Sequence, residues 1–193
     1  MKSKSTLIAA TVVLAGAIGA VGMYFAMSGG DYDMAGHHGN GMMQHDEVNM
    51  PGLQGENASE QESADLAVMF NNFDTITRSV ENLPNGIRTV TRSTDPAVMD
   101  ALVNHSVGMI DRVGQLDDPQ ILIQSPTLDI FFLQGEDIVS EVSVEDEGLV
   151  VIQTSDDPQM VEALHTHAAE VTAMAERGMQ AVHEMMMANG KSH

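Results

Sequence analysis

A stretch of 24 residues recurs without a gap 62 residues further along the chain. Gly86 matches Gly148, Ser93 matches Ser155, and Asp95-Pro96 matches Asp157-Pro158. Ala101-Leu102 then matches Ala163-Leu164, and His105 matches His167. These seven identities fall on caps and core positions, and conservative pairs such as Asp100 with Glu162 fill the spaces between them. In each copy a glycine opens a short apolar run that reads as a strand (87–92 and 148–154). A Ser-x-Asp-Pro turn follows, with Asp placed to cap a helix and Pro at its first position. Convergence on a common strand-to-helix turn would account for the caps but not for the shared Ala-Leu-x-x-His. The reading is an internal duplication, with units at 86–112 and 148–174.

Around these units the pattern predicts an α+β fold. Leu66, Met69, Phe70, Phe73, Ile76 and Val80 recur at helical spacing. They predict a helix over 61–83 that stops at Pro84-Asn85-Gly86. Short apolar or alternating runs at 121–124, 128–133 and 138–145, separated by polar turns, predict further strands. The expectation is a two-layer sandwich. A mostly antiparallel sheet of about five strands is covered on one face by the two long helices of the duplicated units, with an extra N-terminal helix. Aromatic residues make up 4% of the chain and tryptophan is absent, so the core is expected to be aliphatic and filled by methionine.

Residues 7–27 carry no charge, and at about 1.5 Å per residue they span the roughly 30 Å hydrocarbon layer. Lys2 and Lys4 precede the run, while Asp31 and Asp33 follow it. The positive-inside rule then leaves the N-terminus in the cytoplasm and exports the rest. Residues 1–27 read as a single-pass signal anchor in a bacterial inner membrane, with residues 61–193 as the periplasmic domain. A cleaved signal peptide, cut near Ala15-Gly16-Ala17, is the alternative and would leave a soluble periplasmic protein.

Residues 28–60 lack hydrophobic periodicity and read as a disordered linker. Met34, His37, His38, Met42, Met43, His45 and Met50 crowd its first half, interspersed with glycine. Thioether and imidazole suit Cu(I), imidazole also holds Cu(II), and thioethers need no deprotonation to bind. A plain spacer has no call for seven such groups. In composition, residues 34–50 resemble the Met/His-rich stretches of bacterial periplasmic copper-handling proteins. That resemblance implies capture or delivery of copper.

Within the folded part, His105 and His167 occupy equivalent places in the two units, and Met109 lies one turn beyond His105. A pseudo-twofold axis could turn the imidazoles toward each other, giving a site for copper or, in a further alternative, a bis-His haem. The competing reading is that each ring bonds a backbone carbonyl inside its repeat. His165 lies off the His167 face and is expected to face solvent. Near the C-terminus, Met179, His183, Met186 and Met187 share one helical face, which fits Cu(I), ordinary packing or docking onto a membrane-protein partner.

Composition excludes much else. The chain has no cysteine, which removes disulfides and thiolate chemistry. With 28 acidic against 8 basic residues and a net charge of −20, it is no candidate for a nucleic-acid partner. Phosphate-binding glycine loops, a G-x-S-x-G elbow and H-E-x-x-H are missing from the sequence, so the expectation is a binding protein rather than an enzyme.

Overall fold

The computed structural model describes residues 50–190. The anchor at 1–27 and the linker ligands Met34, His37, His38, Met42, Met43 and His45 lie outside the described residues. Among those described, no helix is long and apolar enough to cross a membrane.

Ser59 starts the first helix. Its hydroxyl accepts the Glu62 N–H at 3.2 Å, and the Glu62 carboxylate accepts the Ser59 N–H at 2.7 Å. This capping box opens α1 (Glu60–Asn71). The helix ends at the Asn71-Asn72 pair, twelve residues before the expected stop. Asn72 bonds back to the Val68 carbonyl through its side chain. Ile76 to Leu83, expected as the end of that helix, is instead strand β1 (Ile76–Leu83). Ile76 and Val80 are four apart and so satisfy both a helix and an alternating strand. The β-branched Ile76, Thr77 and Val80, and a partner strand one tight turn away, decide for the strand.

That partner is β2 (Gly86–Ser93), joined across Pro84-Asn85 and paired antiparallel from Leu83↔Gly86 to Ile76↔Ser93. Helix α2 (Pro96–Gln115) follows. Two expected strands are absent. Residues 121–124 form a turn with one isolated bridge, Gly55↔Ile121. Residues 128–133 form a 3-10 turn running into the short helix α3 (Asp129–Leu133). Ser125 and Pro126 start a helix there, since the Ser125 hydroxyl caps the Thr127 N–H at 3.2 Å. Strands β3 (Val139–Glu145) and β4 (Gly148–Thr154) form a second hairpin, and α4 (Pro158–Arg177) follows. Gly178 then breaks the chain before α5 (Met179–Ala188).

The described residues form an α+β fold with five helices and a four-stranded antiparallel sheet in the order β1-β2-β4-β3, rather than about five strands. The elements around His105 and His167 fall in step: a hairpin and a 20-residue helix in each half, with α2 and α4 offset by 62 residues at both ends. Their caps match in detail. Ser93 Oγ accepts Asp95 N–H and Ser155 Oγ accepts Asp157 N–H, both at 3.1 Å. Asp95 then caps Ala97 N–H and Asp157 caps Gln159 N–H, both at 2.8 Å.

Both long helices cover one face of the sheet, and each reaches across to the other hairpin. Val98 and Leu102 of α2 pack on Leu149 and Val151 of β4. Met160, Leu164 and Ala168 of α4 are fully buried and pack in one cluster with Ile87 of β2. The halves therefore share one core. They are joined at the β2–β4 pair, registered from Gly86↔Thr154 to Thr91↔Leu149. Backbones approach closely at its ends. A Cβ on Gly86 would stand 1.9 Å from the Gln153 carbonyl oxygen, and Gly148 has φ 128 with the Thr91 carbonyl 2.7 Å from its Cβ position. A methyl group at Gly86 must push the central strands apart. Gly86→Ala is expected to lower stability by about 3 kcal/mol, read as a shifted denaturation midpoint.

Candidate functional site

Where α1, α2, α3 and α4 converge over the sheet they leave a cavity of about 280 Å³. Met69 and Phe70 of α1, Phe131 of α3, and Met109 and Met174 of the long helices form much of its apolar wall. His105 enters from α2, His167 and Glu170 enter from α4, and Arg78, Thr89 and Thr91 enter from the sheet. His105 and His167 thus line one cavity, together with Met109.

The polar groups are held unevenly. Glu170 Oε1 accepts the hydroxyls of Ser125 at 2.7 Å and Thr127 at 3.0 Å. Its other oxygen lies 3.8 Å from His167 Nδ1, too long for a hydrogen bond. Burial pushes the Glu170 carboxyl up, but the approach of His167 and the two hydroxyls together hold it below the usual carboxylate range. Phe131 meets the His167 ring edge-on, with centroids 5.5 Å apart. His105 is pushed down to about 4, mainly by burial and next by the charge of His167, against the weaker pull of Asp65 and Glu62. It is neutral at pH 7. Arg78 donates to Thr91 Oγ1 at 2.7 Å and makes no ion pair with a described residue.

Four buried side-chain nitrogen or oxygen atoms among the described residues have no hydrogen-bond partner. They are Arg78 Nε, His105 Nδ1, His167 Nδ1 and Glu170 Oε2. All four belong to residues that line this one cavity. An unpartnered buried polar atom costs on the order of 1–3 kcal/mol, and folded proteins carry few of them.

Other sequence candidates lie elsewhere. Met50 is half-buried just before a 3-10 turn at Pro51–Leu53. Met179 and His183 stand on α5, whose buried residues are Ala181 and Val182, and Met179 and Met187 are exposed. His165, expected to face solvent, is half-buried. Its Nε2 lies 3.2 Å from the Leu83 carbonyl and 2.8 Å from that of Gly86, so this nitrogen carries the hydrogen and clasps the β1–β2 turn. No three His, Asp or Glu side chains among the described residues come together as a metal-binding group.

Sequence reasoning missed Arg78 and Glu170. Arg78 falls between Ile76 and Val80 in strand phase, so an inward-facing charge becomes visible only once this segment is known to be extended. Glu170 stands three residues beyond His167 on α4, a neighbouring place on a helix. The chain matches no protein-family model, and neither the curated proteins nor the solved structures compared with it contain a match.

The depressed His105 value has a definite sign. The unfolded chain takes up a proton near pH 6.5, but the folded chain resists it until about pH 4. Stability contributed above pH 6.5 is therefore lost as pH falls through that window, by on the order of 3 kcal/mol. In His105→Gln the loss between pH 6.5 and 4 is expected to shrink by that amount, measured by urea denaturation at several pH values.

Proposed function

We propose that this protein is a membrane-anchored, exported binding protein, built on a duplicated unit, whose folded domain holds a compact and largely apolar organic molecule between its helices and its sheet. The observation that carries the reading is the gathering of all four partnerless buried polar atoms around one apolar cavity. Ligand sites have this character: apolar walls with a few convergent polar groups. These four atoms are sealed from the cavity space, so a ligand would bond the other polar groups of the lining, among them those of Arg78, Thr89 and Thr91. At about 280 Å³ the cavity is larger than a single ion needs. A cavity of about 150 Å³ binds benzene, so this one suits roughly a dozen non-hydrogen atoms.

No nucleophile–base pair among the lining residues argues for turnover. Ser125 donates to Glu170 rather than to an imidazole. The proposed role is capture and release, not catalysis.

The chain lacks tryptophan, so the emission of a naphthalene ring can be read directly. Neutral 2-naphthamide is expected to bind the full-length protein saturably, at one per chain. Ala175→Phe, which fills the cavity from α4, is expected to weaken binding at least tenfold. Absence of saturable binding, or binding unchanged by Ala175→Phe, would refute the reading.

A second reading is copper capture or delivery. It is favoured by the donor types: two imidazoles, His105 and His167, line the same cavity as the thioethers of Met69, Met109 and Met174. Neutral imidazole and thioether are a Cu(I) donor set, and a histidine held neutral needs no proton displaced before it ligates. Titration of Cu(I) against a competing chelator checks it. Loss of competition in His105→Ala with His167→Ala places the metal in the folded domain. Loss on replacing Met34, His37, His38, Met42, Met43 and His45 places it in the linker. No competition by the unaltered protein would end the copper reading.

A further inference from the structure

Arg78 is an anomaly in so acidic a chain. There are 28 carboxylate side chains and five arginines. Arg88 pairs with Glu147, Arg112 with Glu62 and Asp117, and Arg177 with Glu184. Arg92 is exposed, where water solvates it. Arg78 alone among the five is turned into an apolar cavity with no carboxylate partner. Its guanidinium donates to the Thr91 hydroxyl, and its Nε is sealed off without any partner. Burial alone pushes the guanidinium down, to about 10, so it keeps its charge at neutral pH. A buried charge without a counter-charge is among the more costly features a fold can hold.

Arg78 stands on β1, immediately across from Thr91 of β2. The thioethers, the phenyl rings and the imidazoles come from the helices above. A guanidinium offers a planar fork of donors that fits a carboxylate through two parallel bonds. We infer that the cavity takes an organic anion, with an apolar body among the methionine and phenylalanine side chains and a carboxylate set against Arg78. The inference rests on the proposed ligand-binding role of the cavity and names the class of molecule bound. The neutral His105 adds no charge at neutral pH, and Glu170, already engaged by Ser125 and Thr127, opposes an anion at its own end. The carboxylate therefore belongs at the sheet, and the other end of the ligand belongs at the helices. The net charge of −20 acts from the surface, where salt screens it beyond about 8 Å, and it does not cancel a contact inside the cavity.

The test compares three probes that share one ring system: 2-naphthoate, its neutral isostere 2-naphthamide, and cationic 2-naphthylmethylamine. Each is titrated into the full-length protein. The expected order is naphthoate tighter than naphthamide by about tenfold or more, the range for hydrogen bonds to charged groups, with the amine weakest. Arg78→Gln should reduce naphthoate to the level of naphthamide while leaving naphthamide nearly unchanged, and Arg92→Gln should alter neither. Naphthamide binding as tightly as naphthoate in the unaltered protein would overturn the anion inference and leave the cavity reading standing. That comparison needs no variant, so it holds even if Arg78→Gln folds poorly. Undiminished naphthoate binding by a folded Arg78→Gln would overturn it as well. If none of the three probes binds, the ligand-binding reading fails and the inference falls with it.

Discussion

The antiparallel pairing of β2 with β4 is the contact on which everything else hangs. Each hairpin on its own is a two-stranded ribbon, which is marginal in water. Joined at this seam they make a sheet with one broad face for two helices to cover. Seating the seam requires the strand starts to lie against the neighbouring backbone, which is why glycine stands at 86 and at 148. Because α2 packs on β4 as well as on β2 of its own hairpin, and α4 packs on β1 and β2 of the other, each helix buries apolar surface that belongs to both hairpins. Stability is a property of the pair.

A second set of contacts shapes the space above the sheet. Arg112, near the end of α2, reaches Glu62 in the first turn of α1, Asp117 in the following loop and the Asn57 carbonyl. Its side chain holds the Glu62 carboxyl down to about 2, with burial working against it. Glu62 also closes the capping box with Ser59, so one carboxylate both starts α1 and ties it to α2. This fixes α1 as one wall of the cavity. The long helices then stand far enough apart for the cavity to persist between them, lined by flexible thioethers that adapt their shape.

Local rules carried a good part of the fold. Asp95 and Asp157 act as caps because capping depends on three or four consecutive residues and little else. The match of His105 with His167 is legible because identical neighbours flank both at a fixed offset. The segment at 76–83 was not legible. Ile76 and Val80 fit either period, and pairing with β2 resolved them. The apolar runs at 121–124 and 128–133 read as strands, but neither pairs with the sheet, and Ser125-Pro126 turns the second into a helix start. At the site, the histidines and Met109 were within reach of sequence reasoning, while Arg78 and Glu170 were not, since their meaning depends on which element crosses which.

By itself the sequence determined the starts of α1, α2 and α4, the two central strands, the matched places of His105 and His167 after a common cap, and the acidity of the chain. Each of these follows from neighbours along the chain or from composition. Only the tertiary structure decided that the two histidines share one cavity, and that an arginine from an edge strand shares it with them. That arrangement depends on each helix crossing to the other hairpin, and the crossing is set by burial of apolar faces between residues some 60 positions apart, which no local pattern records.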